Sequence, residues 1–334
     1  INTALSGHHR AMLIAKPGAG KTTRVPLTLL KAEWASGKKL LLLEPRRVAA
    51  RLAASFMAKQ LGESVGQTVG YRMRGDSCVG SQTRLEVVTQ GVLTRMLQDD
   101  PLLEGVAGII FDEFHERSLE ADLGLALALD VQTSIRDDLR LLVMSATLDV
   151  EALRRVLGKK TPTIECHGRQ YPVITAYRPP ENGEESSLHT LRVVNEALAD
   201  PETQDILVIL PGVAEINRLV QALQQALPHI DVRPLHGRMS IELQQAALAA
   251  NASQKRIIVS TAITESSITV DGVNVVIDGG LERVPMFQPR TGLTWLTTRR
   301  INRASADQRR GRAGRQREGC CFRLWAQEQT LAPF

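Results

Sequence analysis

Asp112 and Glu113 stand side by side at the end of an apolar run, Ala107-Gly108-Ile109-Ile110-Phe111, and His115 follows two residues on. A buried strand that ends in two carboxylates puts two negative charges at the carboxyl edge of a sheet, where open α/β folds bind ligands. Such a pair makes chemical sense when a divalent cation and a phosphate chain neutralise it. The phosphate half of that chemistry lies near the front of the chain. Residues 11–15 read as a short buried strand, followed by Lys16-Pro17-Gly18-Ala19-Gly20-Lys21-Thr22-Thr23. Gly18 and Gly20, flanking Ala19, let backbone N–H groups turn inward around phosphate oxygens, at the positive N-terminus of the helix that follows. Lys21 would reach the β- and γ-phosphates, and the Thr22 hydroxyl would ligate Mg²⁺. The strict P-loop pattern has glycine at position 15, where this chain has alanine. The motif therefore draws its weight from the Asp-Glu strand downstream.

A third cluster lies far along the chain. Arginines stand at 299, 300, 303, 309, 310, 312, 315 and 317. On a helix, Gln308, Arg312 and Arg315 are spaced i, i+4, i+7 and share one face. An amide and two guanidiniums on one face suit arginine fingers acting on a triphosphate. The same residues also fit a solvated basic face or a disordered Arg/Gly nucleic-acid tail.

The elements that must position these groups alternate between strand and helix signals, which argues for parallel sheets flanked by helices. Strands are expected at 11–15, 39–44, 84–89, 106–111, 140–144 and 163–166, with helices such as 47–60 and 119–129 between them. The pattern then restarts with strands at 206–210, 232–235, 257–260, 273–277 and 320–324, and helices at 213–227 and 241–250. With 334 residues, 43% of them apolar, the chain can bury two cores, since domains run to ~100–200 residues each. The expected division is 1–167 and 168–334, two α/β domains of which only the first carries a P-loop. Net charge is +5, which agrees with a polyanionic partner without requiring one. The four cysteines show no metal-ligand spacing and are expected to be reduced in a cytoplasmic protein. No apolar run approaches the ~18 residues of a membrane span, and no signal peptide opens the chain.

Read in order, the chain holds GAGKTT (18–23), EPRRVAA (44–50), TQGVL (89–93), DEFH (112–115), SAT (145–147), GRQYPV (168–173), LPG (210–212), STAITESSIT (260–269) and QRRGRAGR (308–315). Several are individually weak, but nine in collinear order are highly specific. The series resembles the superfamily-two helicases of the DEAH-box (DEAH/RHA) group, and more narrowly its bacterial HrpB branch, in which DEFH stands for DEAH. The resemblance implies two tandem RecA-like P-loop NTPase domains, with ATP or another NTP and Mg²⁺ between them. It implies that Gly18, Ala19, Gly20, Lys21, Thr22 and Thr23 hold nucleotide, with Asp112 binding the metal through water. Glu113 would be the general base, assisted by Gln308, with Arg312 and Arg315 reaching the γ-phosphate on domain closure. His115, Ser145 and Thr147 would couple nucleotide state to domain position.

The same resemblance implies a monomeric protein acting on single-stranded RNA, with DNA left open, and translocating 3′ to 5′. Arg46, Arg47, Arg74, Thr89, Gln90, Gly91, Gly212 and Thr261 fall where the family grips the sugar–phosphate backbone, which carries no sequence information. Residues 286–298 read as a hairpin whose Phe287 and Trp295 either stack on bases or pack in a core. The family's base clamp falls near Phe56 and Leu248, so weak selectivity among nucleobases is expected. The family's winged-helix, helical-bundle and OB-type domains have no counterpart in these residues. The competing reading is an RNA-binding scaffold with a decayed ATPase site, and the intact Lys21, Asp112, Glu113, Gln308, Arg312 and Arg315 argue against it.

Overall fold

A computed structural model describes residues 1–15, 20–146, 150–166, 171–249, 254–264 and 270–332. Gly18, Ala19 and Thr147, and the expected boundary at 167/168, lie outside the described residues. The chain divides into two compact units, Ile1–Gly168 and Arg169–Phe334.

The first unit carries strands β1 (Arg10–Ala15), β2 (Lys39–Glu44), β3 (Val69–Met73), β4 (Asp76–Cys78), β5 (Leu85–Thr89), β6 (Val106–Phe111), β7 (Arg140–Ser145) and β8 (Thr163–Cys166). Its helices are α1 (Asn2–His8), α2 (Lys21–Leu29), α3 (Arg47–Gln60), α4 (Gln90–Asp99), α5 (Leu119–Ser134) and α6 (Val150–Leu157). The sheet order is β4-β3-β5-β2-β6-β7-β1-β8. All neighbours are parallel except the edge pair β3–β4. Strand β2 shows why. Its four consecutive leucines are buried on both faces, as strands covered by helices on either side require. Leu40 and Leu42 join the core that contains Ala50, Ala54 and Met57 of α3, whereas Leu41 and Leu43 join Phe111, Ala121 and Leu125 on the opposite face.

The second unit carries β9 (Val173–Tyr177), β10 (Asp205–Ile209), β11 (Asp231–Leu235), β12 (Arg256–Ser260), β13 (Val273–Asp278) and β16 (Gly319–Arg323) in one all-parallel sheet, ordered β11-β12-β10-β13-β16-β9. Helices α7 (Ser186–Ala199), α8 (Val213–Ala226), α9 (Ile241–Leu248) and α10 (Arg303–Arg310) accompany it. Strands β14 (Leu281–Gln288) and β15 (Leu293–Arg300) form a separate antiparallel hairpin. The two-domain α/β expectation holds. The expected hairpin is longer than 286–298, and its Phe287 and Trp295 are 62% and 56% exposed, so neither packs in the cores of the two described units. Among the described residues no helix is long and apolar enough to cross a membrane.

Candidate nucleotide site and nucleic-acid edge

Because β1, β7, β6, β2, β5 and β3 run parallel, their carboxyl ends lie along one edge of the first sheet. The candidate residues fall along this edge in two groups. Lys21 and Thr22 follow β1, Ser145 ends β7, and Asp112 to His115 follow β6. Arg46 and Arg47 follow β2, Thr89 to Gly91 end β5 and open α4, and Arg74 turns out of β3.

The first group is buried and tightly connected. Gly20 precedes α2 with φ 74°, a left-handed conformation that side chains rarely adopt, and a Cβ there would meet Arg24 at 3.2 Å. This turn delivers Lys21 into the sheet edge, where its Nζ lies 2.6 Å from Glu113 Oε1 with both side chains almost fully enclosed. The Thr22 hydroxyl donates to Asp112 Oδ2. Asp112 Oδ1 accepts the Glu113 N–H at 2.8 Å. Glu113 itself sits at φ 49°, ψ 36°, a conformation that costs a non-glycine residue ~1–2 kcal/mol. His115 closes the network: its Nδ1 accepts the Ala146 N–H at 3.3 Å and its Nε2 lies 3.4 Å from Glu113 Oε2. With Nδ1 accepting, the proton of the neutral ring is on Nε2 and points at Glu113. His115 thus ties the Asp-Glu turn to the end of β7, beside buried Ser145.

The electrostatics follow from burial. Burial alone would lower the Lys21 pKa, but Asp112, Glu113 and Glu44 outweigh it and hold the ammonium above its ordinary range. Burial pushes the Asp112 carboxyl up to about 6, against the pull of Lys21 and the Thr22 hydroxyl. Glu44, at the end of β2, is fully buried and is raised well above the usual carboxylate range by burial and then by Asp112, Glu113 and Glu116. With Glu44 raised toward its neutral form, Asp112 and Glu113 against one lysine leave an excess of negative charge that suits a divalent cation. The sequence reading missed Glu44, although the pattern that marked Asp112, an acid closing an aliphatic strand, also marks Lys39 to Glu44.

The second group is open. Arg47, Arg74 and Gly91 are exposed. Arg46 precedes α3 and pairs with Glu116 at 3.3 Å, which links this group to the Asp-Glu turn. Gln90 accepts from the Ser118 hydroxyl, which also caps α5. A cleft of about 350 Å³ beside α4 shares Gly91 alone with these residues and includes none of the nucleotide group.

In the second unit, Gly212 opens α8 and Thr261 follows β12, at the carboxyl ends of neighbouring strands. The Arg283 guanidinium lies against Gly212 and is held by Glu215 of α8 at 3.0 Å. The arginine segment departs from expectation. Helix α10 stops at Arg310, so Gln308 is helical whereas Arg312 and Arg315 lie in the turn after it, and the three do not share a helical face. The helix tightens at its end through the Arg312 N–H to Arg309 carbonyl and Ala313 N–H to Arg310 carbonyl bonds. The turn then packs beneath the entry to β9. A Cβ on Gly314 would stand 2.5 Å from the Tyr171 carbonyl oxygen. Arg309, which sequence reading left without a role, is fully buried and pairs with Asp278 at 2.9 Å.

Residues 1–156 match the DEAD/DEAH box helicase family, and residues 189–317 match the helicase conserved C-terminal domain. The chain belongs to the DEAD/DEAH box helicases. It is 46% identical over 330 residues to the ATP-dependent RNA helicase HrpB of Escherichia coli, covering 98% of this chain and 40% of that protein. It is 35% identical over 327 residues to the ATP-dependent RNA helicase HrpA of Borreliella burgdorferi, covering 96% of this chain and 40% of that one. The crystal structure of the Escherichia coli DEAH/RHA helicase HrpB superposes with a TM-score of 0.93 at 45% identity, over 99% of this chain and 42% of the other. The chain thus spans about two fifths of the length of these helicase relatives.

Proposed function

We propose that this chain is the nucleoside-triphosphatase core of an ATP-dependent helicase that grips single-stranded RNA and moves along it 3′ to 5′. The observation that carries the reading is the buried network in which Lys21 and His115 both point at Glu113 while Asp112 meets Thr22. Lys21 holds phosphate, and a bound triphosphate competes with Glu113 for it. Glu113, once released from Lys21, takes the proton of the attacking water, and His115 keeps the carboxylate aimed. Thr22 and Asp112 are the residues that would hold Mg²⁺, which when bound neutralises phosphate charge. Gln308, Arg312 and Arg315 of the second unit are the remaining members of the proposed catalytic set, the arginines suited to the charge of a γ-phosphate in the transition state.

RNA as the substrate rests on the names of the relatives, which are ATP-dependent RNA helicases. Arg46, Arg47, Arg74, Thr89, Gln90, Gly91, Gly212 and Thr261 are the backbone-gripping set. The test is ATP turnover with and without poly-U, beside Glu113→Gln. Loss of a general base lowers kcat by about 10²–10⁴-fold, with nucleotide binding retained. Wild-type turnover no greater than that of the variant would remove the enzyme reading and leave a nucleic-acid-binding scaffold.

A further inference from the structure

Glu44 closes β2 inside the sheet, and the hydrolytic scheme above makes no use of it. Its carboxyl is fully buried, and among the described residues neither oxygen has a hydrogen-bond partner. Enclosing a polar group without a partner destabilises a fold, and an aliphatic side chain would close the strand without that cost. What surrounds the carboxyl indicates why it is there. Strands β2 and β6 are neighbours in register, Leu43 beside Phe111, and the Asp112 N–H donates to the Leu43 carbonyl at 3.0 Å. Glu44 and Asp112 therefore leave adjacent strands side by side. On its other flank Glu44 stands in register with Thr89, so it marks the boundary between the nucleotide group and the open arginine group.

We propose that Glu44 is a positioning residue of the nucleotide site, whose side chain hydrogen-bonds the water shell of the magnesium ion held by Asp112. The proposal rests on the ATPase reading. The Glu44 carboxyl offers polar oxygens to metal-bound water beside Asp112, and a side-chain amide offers a polar group of the same reach. Glutamine can do the same; leucine and methionine cannot.

The experiment titrates Mg²⁺ into the full chain with a fluorescent nucleoside diphosphate and reads binding, which needs no turnover. For Glu44→Leu the Mg²⁺ midpoint should rise about tenfold, the size typical of groups that orient a metal's ligands. Nucleotide affinity in EDTA should be unchanged, and Tm no lower than wild type. Glu44→Gln should restore the midpoint to within about threefold of wild type. Glu44→Met serves as the second apolar variant should Glu44→Leu fail to fold. An unchanged midpoint in the apolar variants overturns the proposal, as does a Glu44→Gln variant as impaired as Glu44→Leu. If the wild type itself shows no Mg²⁺-dependent nucleotide binding, the ATPase reading fails instead.

Discussion

The two halves of the first sheet's carboxyl edge are built to different standards. On the β1–β7–β6 side, Lys21, Asp112, Glu113 and Ser145 are buried, and hydrogen bonds join Lys21 to Glu113 and Thr22 to Asp112, with one backbone conformation held under strain. On the β2–β5–β3 side, Arg47, Arg74 and Gly91 reach solvent. The difference matches the two tasks proposed above. Stabilising charge at a reacting phosphorus depends on dipoles fixed in advance. Gripping a polyanion needs accessible guanidiniums whose contribution falls with salt. Arg46, paired with Glu116, stands between the halves.

The sharpest way to break this contrast is Lys21→Ala. It removes the cation that balances Asp112 and Glu113, and breaking a buried pair in this way costs ~3–5 kcal/mol. Calorimetry should therefore show a lower Tm as well as lost turnover. A variant that keeps its Tm would mean that the buried half is less tightly balanced than its geometry indicates. Arg47→Ala and Arg74→Ala should leave basal turnover and Tm near wild type. Each should weaken single-strand binding evenly across sequences and lower the salt slope by about 1, read from fluorescence anisotropy at several ionic strengths. Arg46→Ala should do this too, and should also reduce stimulation of turnover by poly-U, because it releases Glu116.

Nucleobase choice should respond least within the site. Phe56 is 53% exposed on α3, and kcat/KM should be similar for ATP, GTP, CTP and UTP. A preference of roughly a hundredfold or more would point to a polar base pocket. The amino edge of the same sheet supplies the control. There Arg136 bonds Asp138 through two nitrogens and, with Lys38, holds its carboxyl well below the usual range. A depressed folded pKa stabilises above the unfolded value and is lost as pH falls, so Asp138→Asn should cost ~0.2–1 kcal/mol near neutrality. That deficit should vanish in acid, with turnover untouched at either pH.

Much of this was legible in the sequence, for identifiable reasons. Strands buried on both faces appear as unbroken aliphatic runs, and 106–111 and 163–166 coincide with β6 and β8 residue for residue. Acids ending such runs announce a ligand site, and Asp112 and Glu113 lie where that logic placed them. The shape of 308–315 was not legible from spacing, which assumes that a helix continues. Gly311 after Arg309-Arg310 carries a stop signal, a glycine behind a basic last turn, that the i, i+4, i+7 count passed over. Short polar strands such as β4 and the half-exposed β9 offer no comparable pattern. Glu44 escaped because a single buried acid looks, in sequence, like the polar end of a strand.

The pairing of Arg309 with Asp278 bears on how this molecule presents itself to a distant polyanion. The arginine-rich stretch from 299 to 317 looks like a uniform block of positive potential. Arg309 lies wholly inside with its counter-ion, and Arg256 is likewise enclosed against Asp205. Each pair is an internal dipole whose far field nearly cancels, so the second unit presents fewer positive charges at a distance than its arginine count suggests. Reversing the charge at 309 would accordingly disturb folding and, with Asp278 no longer balanced by Arg309, make the long-range field more negative.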